Sequence, residues 1–237
     1  MLLLPINREQ LLLFLPKGGN VAEIGVAQGE FSRFILQNTA PNRLHLIDPW
    51  EHQEREDYQE DLNNVSAGEQ QQRFENVSTL FAQETASGKI TIHRMYSQDA
   101  VSRFSDGYFD WIYIDGLHSY EGVRRDLLSF QAKVKPDGFI LGHDYTLHGG
   151  ARRAGFGVVQ AVDEFVKEQG WHFIGLTIEN WPTYLLAHSA EAERTKVLIM
   201  KLLYNVPKLV ELRDYPTGRF DHKLVPFDKR VAAVMSF

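Results

Sequence analysis

The feature that most constrains this chain is an alternation of short apolar runs with segments of helical period. Val21–Gly25 is a short apolar run closed by glycine and reads as a first strand. Glu30–Gln37 follows with apolar side chains at 31, 34 and 35, the spacing of one helix face. Arg43–Asp48 (RLHLID) alternates as a second strand, Lys89–His93 (KITIH) is a third, Phe109–Asp115 (FDWIYID) a fourth and Gly138–Gly142 a fifth. Between the last two, Tyr120–Val134 sets Val123, Leu127, Leu128 and Val134 at helical spacing, and Val158–Gln169 forms a further amphipathic helix. His172–Glu179 and Trp181–His188 are close enough to pair as a closing hairpin. Strands that alternate with helices are joined by crossovers. The predicted fold is therefore α/β, with a mostly parallel sheet covered on both faces.

The pattern fills residues 1–189 of 237, which suits one domain with an appendage. Residues 190–237 form a C-terminal extension that packs on the domain or contacts another subunit, with Lys196–Leu212 as an amphipathic helix. Residues 50–88 interrupt the alternation. Their first part is strongly polar and reads either as a solvated face or as a lid inserted over a site. Segment 9–15 is a short packed helix. The apolar start Met1–Leu4 is far shorter than the roughly 20 residues of a membrane span, and it lacks the marks of an export signal. There is no cysteine, which excludes disulfides, thiolate metal sites and a thiol nucleophile. The balance of 31 acidic against 25 basic residues argues against nucleic-acid binding. The expectation is a cytoplasmic protein without a membrane partner, either alone or as a homo-oligomer.

The turn after the first strand points to a nucleotide-like ligand. It runs Glu23-Ile-Gly25-Val-Ala27-Gln-Gly29, just before a helix N-terminus, where glycines let the backbone turn sharply and approach a ligand. The dinucleotide fingerprint is not met, because Ala27 and Glu30 stand where its second and third glycines belong. Glu23 offers a carboxylate near the strand end for a cationic amino group. Asp48 ends the second strand, where a carboxylate accepts from ribose hydroxyls.

The segment AEIGVAQGEFS resembles motif I of class I S-adenosylmethionine-dependent methyltransferases, and Asp48 matches the acidic residue of motif II. Residues 109–145, with IDG-x-HSYEGV-x-x-D followed by GHDY, are similar to the macrocin and mycinamicin sugar O-methyltransferases. The resemblance covers about residues 20–188. It implies a Rossmann-like sheet of order 3-2-1-4-5-7-6 with strand 7 antiparallel, and a cofactor lying over strands 1, 2 and 4. It also implies that Gly25 and Gly29 pass the methionine part of S-adenosylmethionine, Glu23 meets its amino group and Asp48 its ribose. Ser97, Gln98 and Asp99 fall in the stretch that borders the adenine; a plain helix N-cap is the alternative for them.

Asp115 ends the fourth strand and His143-Asp144 the fifth. Neighbouring parallel strands lie about 4.8 Å apart, so these groups can converge on one divalent cation. In the resembling sugar methyltransferases such positions carry magnesium. The histidine at 143 is a softer ligand and shifts the preference toward manganese, iron or zinc. Packing and turn-capping roles for His143 and Asp144 remain the alternative. His118 resembles the histidine proposed as general base in those enzymes, and an imidazole can take a hydroxyl proton near neutral pH. Tyr145 is a candidate for the acceptor pocket. The glycine-rich stretch Thr146–Gly157 carries Arg152 and Arg153, which either meet an anionic acceptor or sit on a flexible connection. Trp111, Trp171 and Trp181 read as packing residues.

The reading that follows is an S-adenosylmethionine-dependent methyltransferase acting on a hydroxyl of a small molecule or sugar, with His118 and Asp115 as catalytic residues and Asp115, His143 and Asp144 around magnesium or manganese. Its rivals are a metal-independent methyltransferase acting on a carboxylate or nitrogen, a nicotinamide dehydrogenase, and a non-catalytic cofactor-binding protein.

Overall fold

The computed structural model describes residues 1–54, 58, 63–213, 215, 221–227 and 230–236. In chain order the elements are β1 (Leu2–Leu4), α1 (Arg8–Leu11), β2 (Asn20–Ile24), α2 (Glu30–Thr39), β3 (Arg43–Asp48), α3 (Ala67–Leu80), α4 (Ala82–Ala86), β4 (Ile90–Arg94), α5 (Ser97–Ala100), β5 (Phe109–Ile114), α6 (Tyr120–Phe130) and β6 (Val134–Gly142). Then follow α7 (Gly149–Arg153), α8 (Val158–Gln169), β7 (His172–Thr177), β8 (Tyr184–Ala187), α9 (Glu193–Asn205), β9 (Val210–Glu211), β10 (Asp221–Phe227) and β11 (Arg230–Ser236).

The main sheet has the order β4-β3-β2-β5-β6-β8-β7-β1-β9. Its seven strands from β4 to β7 carry the expected 3-2-1-4-5-7-6 order, and β8 runs antiparallel to both neighbours. Two strands were not foreseen. β1 pairs parallel with β7, and β9 pairs antiparallel with β1. Both are short. The three leucines at 2–4 carry no alternation that distinguishes a strand from a packed coil.

Successive side chains on a strand point to opposite faces, and here both faces are apolar. Ala22, Ile24, Ile112, Ile114 and Ile140 meet Val123 and Leu127 of α6 and Val162 and Phe165 of α8. On the other face Val21, Leu46, Trp111 and Leu141 meet Phe31 and Ile35 of α2 and Leu198 and Leu202 of α9. Trp111 and Trp171 are buried, as expected of packing residues.

Three boundaries differ from the sequence pattern for local reasons. β6 starts earlier, and its register against β5 jumps between the Phe109–Val134 and Trp111–Phe139 pairs, which absorbs the Lys135-Pro136-Asp137 stretch. α9 stops at Asn205 rather than running to Leu212. Val206 precedes Pro207 and is extended at φ −104°, the conformation a following proline enforces. The 146–157 stretch is not a bare connection, because α7 forms within it, capped by the His148 side chain on the Gly150 and Ala151 N–H groups. No helix among the described residues is long and apolar enough to cross a membrane.

Candidate active site

The carboxyl ends of β2, β3 and β5 frame a cleft. Gly25 forms its floor at φ +85°, and its N–H donates to the Ile47 carbonyl at 2.9 Å. A Cβ at this position would lie 1.9 Å from the Asp115 carbonyl oxygen, so the β2 and β5 tips can approach this closely only with glycine between them. Ala27 follows at φ +49°, a conformation that costs a non-glycine residue and needs support. Asp48 supplies it. Its Oδ2 accepts from the N–H groups of Val26 at 2.9 Å and Ala27 at 3.0 Å, and its Oδ1 accepts from Trp50 N–H at 2.7 Å. Burial pushes the Asp48 carboxyl upward against the pull of these three bonds. The buried Trp50 indole closes the loop by donating to the Ala27 carbonyl at 2.8 Å.

Asp48, Gly25, Ser97 and Asp115 all line this cleft. Opposite the glycine loop, Ser97 Oγ donates to Asp126 Oδ1 at 2.6 Å, and burial pushes the Asp126 carboxyl up to about 6. The outer wall comes from the polar 50–88 segment, through Glu51, Gln70 and Arg73. Glu51 accepts from the Tyr96 hydroxyl at 3.1 Å. Three of the expected cofactor residues sit elsewhere. Glu23 is fully buried beneath the cleft, where it accepts from the Ser32 hydroxyl, and burial raises its pKa to about 8. Gly29 is the left-handed N-cap of α2, packed beneath Phe81 and Val77. Asp99 is exposed in the first turn of α5.

Asp115 belongs to a second constellation as well. Asp115, His118 and Asp144 bring one ligand atom each within 4.8 Å of one another. His118 Nε2 lies 3.0 Å from Asp144 Oδ2 and 3.5 Å from Asp115 Oδ1. His143 Nδ1 sits between the two acids, 3.2 Å from Asp144 Oδ1 and 3.6 Å from Asp115 Oδ2. Burial alone would raise the Asp144 carboxyl, but the His143 charge and hydrogen bonds from both histidines hold it well below the usual range. Burial would lower His143, and the two carboxylates reverse the sign and raise it. Asp144 is held at φ +61°, and its neighbour Tyr145 is buried and donates to Asp163.

Sequence reasoning missed Arg8. Its Nη1 donates to the Tyr113 hydroxyl at 2.9 Å and to Asp115 Oδ2 at 3.2 Å, and its guanidinium lies 4.6 Å from the Phe31 ring centre. The capping box that starts α1, Asn7 with Gln10, was a readable signal for that helix. Nothing in the local sequence says that its first residue reaches a strand tip more than a hundred positions away.

Residues 22–145 match the profile of a family described as Methyltransferase domain. The chain belongs to that family. With it comes the class I S-adenosylmethionine-dependent methyltransferase assignment that the glycine turn and Asp48 suggested. The matched span runs from β2 through Tyr145 and so holds both the cleft and the Asp115–His118–Asp144 cluster; Arg8 and the C-terminal strands lie outside it. No curated protein matches the sequence.

Solved structures agree with this methyltransferase in fold. A Corynebacterium glutamicum protein superposes with a TM-score of 0.54 at 14% identity, over 80% of this chain and 85% of that one. The precorrin-6y C5,15-methyltransferase of Geobacter metallireducens gives 0.51 at 12%, over 76% and 86%. TrmK of M. capricolum, solved with S-adenosyl-homocysteine, gives 0.52 at 8%, over 76% and 66%.

Proposed function

We propose that this methyltransferase moves the methyl group of S-adenosylmethionine to a hydroxyl of a small molecule or sugar. One observation carries the reading: Asp115 lines the glycine-floored cleft and is also a corner of the acid–imidazole cluster. A cofactor in the cleft and an acceptor at the cluster would therefore share a wall. S-adenosylmethionine supplies the methyl group, and the remaining tasks fall to side chains. Asp48 holds the loop that receives the cofactor and stands at the ribose end of the cleft. Ser97 and Asp126 offer hydroxyl and carboxyl groups to the adenine. Glu23, buried beneath the cleft floor, is an acid whose ionised form the cofactor's ammonium would favour.

At the acceptor side His118 acts as the base. His118 Nε2 lies 3.0 Å from Asp144 Oδ2, so Asp144 orients the ring and steadies the imidazolium once the hydroxyl proton is taken. Alignment of the hydroxyl oxygen with the methyl group is the other half of the task. The donor set of two carboxylates and an imidazole also fits a divalent cation of the manganese, iron or zinc kind, held by Asp115, Asp144 and a histidine. Such a cation, when bound, orients the acceptor oxygen and makes its proton more acidic. The imidazole nitrogen that groups with the two acids is that of His118, so holding a metal and acting as base beside Asp144 are alternative roles for that side chain.

The metal-independent reading has an observation of its own. Arg8 already places a positive charge on Asp115 Oδ2, where it can orient that carboxylate without a metal. The similarity to macrocin and mycinamicin methyltransferases favours a sugar hydroxyl as acceptor. The acidic net charge of −6 favours a small molecule over a nucleic acid.

The test is transfer of labelled methyl from S-adenosylmethionine to a panel of hydroxylated, carboxylated and amine acceptors, with chelator or with added magnesium or manganese. Hydroxyl acceptors should be labelled, and His118→Ala should cut turnover by about 10²–10⁴-fold with cofactor affinity nearly unchanged. Labelling of amines alone, or a His118→Ala variant at full rate, would reject the assignment.

A further inference from the structure

Helix α9 carries two apolar stripes, and the fold covers only one of them. Thr195, Leu198 and Leu202 recur at helical spacing and are buried. Leu198 and Leu202 pack there with Val21, Trp111 and Leu141 of the sheet. Val197, Met200 and Tyr204 recur at the same kind of spacing on the far side of the helix. They are 43%, 47% and 80% exposed, and Leu203 widens the stripe at 50%. A surface helix ordinarily turns polar and charged side chains to that side. The stripe lines an open groove of about 320 Å³, edged by Glu193, Lys196 and Lys201. The segment after α1 extends the patch. Leu11, Leu12 and Leu15 share the core of Leu198 and Leu202, while Leu13 between them points out at 54% exposure.

The charges around the stripe say what covers it. Lys196 is paired with Glu191 at 2.9 Å, whereas Glu193 and Lys201 have no partner of opposite charge among the described residues. Glu193 opens the helix, and Lys201 lies about two turns later on the same side. Burial and the nearby Lys201 charge both lower the Lys17 ammonium, so two cations stand together at this end of the patch. That end attracts a carboxylate from outside the chain, and the Glu193 end attracts a cation. One arrangement of two copies supplies both. In an antiparallel two-fold pairing Val197 faces Met200, and Glu193 faces Tyr204 and comes beside Lys201; symmetry repeats each contact. A parallel pairing instead sets Glu193 on Glu193 and Lys201 on Lys201, which repel. The stripe is also held in place beforehand. Arg194 ties the start of α9 to Asp110 at 3.0 Å and to Asp137 at 3.4 Å.

We propose that the outer stripe of α9 is the interface of a homodimer, in which the α9 helices of two copies of this chain pack antiparallel about a two-fold axis. The inference does not depend on the methyl-transfer chemistry. Val197 and Met200 form the apolar centre, and the two Glu193–Lys201 contacts set the orientation. A helix of this length spans about 20 Å, so the contact belongs at the small end of specific interfaces. The expected dissociation constant is therefore on the order of 10 μM. The stripe points away from the sheet, so the cleft at the carboxyl ends of the strands stays open in both copies. Pairing and cofactor binding are then independent.

The experiment is sedimentation velocity on the full chain, from about tenfold below to about tenfold above that constant. The mass should rise from the 27.2 kDa of one chain toward twice that value. Met200→Lys, at an exposed position, should weaken association at least about tenfold, because a two-fold interface meets each substitution twice. Its thermal midpoint, measured at concentrations where the wild type is monomeric, should not change. Glu193→Lys and Lys201→Glu should each stay monomeric alone, since each sets like charges across the axis. Mixed in equal amounts they should associate, because one chain then brings two lysines and the other two glutamates. A chain that stays at 27.2 kDa throughout the range would overturn the interface. So would a dimer indifferent to Met200→Lys, or a mixture that associates no better than its components. A chain that retains some other protein on this face without pairing with itself would overturn it as well.

Discussion

Gly25→Ala is the substitution whose effect follows most directly from the geometry. The added methyl would sit 1.9 Å from the Asp115 carbonyl oxygen and 2.8 Å from the Gly116 nitrogen, both backbone atoms, which no side-chain rotation can relieve. Ordinary contact begins near 3.4 Å, so the β2 and β5 tips would have to part by 3.4 − 1.9 = 1.5 Å. The left-handed conformation at φ +85° adds roughly 1–2 kcal/mol for any residue with a Cβ. Overpacking of a tight contact costs about 1–3 kcal/mol. Together they predict a loss of about 3 kcal/mol, or a fall of roughly 6–12 °C in Tm for a chain of this size. The same movement displaces the floor of the cleft and carries Asp115 with it, so S-adenosyl-homocysteine should bind at least about tenfold more weakly. Differential scanning fluorimetry and calorimetry read the two effects. An alanine variant with wild-type Tm and wild-type affinity would refute the argument that glycine is required there by the closeness of the two strand tips.

Other perturbations separate the roles assigned above. Asp48→Ala leaves the Val26, Ala27 and Trp50 N–H groups without their acceptor, so it should lower stability by about 2–4 kcal/mol in urea titrations as well as weaken cofactor binding; a variant that loses affinity at full stability would make Asp48 a pure ligand. Glu23 has its folded pKa raised from 4.5 to about 8, so its contribution is fully present below 4.5 and is lost as pH climbs through 8. Glu23→Gln should therefore flatten the decline of stability across that window by a few kcal/mol, and an unchanged slope would contradict the assignment. Arg8→Gln removes the cation on Asp115 and should tighten manganese binding by tenfold or more, as read by the paramagnetic broadening of histidine signals; equal affinity would mean that arginine and metal do not compete.

The central seven strands were legible because their evidence is local. Runs such as RLHLID and FDWIYID show their character within six or seven residues, and their crossovers point to a parallel sheet. The glycine floor and the acids at the strand tips were legible for the same reason. What remained hidden depends on contacts between distant segments. Arg8 reaches Asp115, β1 seats on β7, and the hairpin at 221–236 docks beside Glu179; none of these leaves a periodic trace in its own stretch. The three bonds on Asp48 were hidden in another way. The residue type and position drew attention to Asp48 as a ligand, but the carboxylate's work in holding Val26, Ala27 and Trp50 shows only in three dimensions.

The proposed methyl transfer requires one arrangement, a cofactor cleft and an acceptor cluster that share Asp115. A crystal structure of the protein with S-adenosyl-homocysteine measures it directly. The prediction is adenosine between Asp48 and Ser97, with the homocysteine sulfur facing the Asp115–His118–Asp144 cluster. Adenosine bound away from the Gly25 floor, or a sulfur turned from His118 with protein closing the path between them, would contradict it.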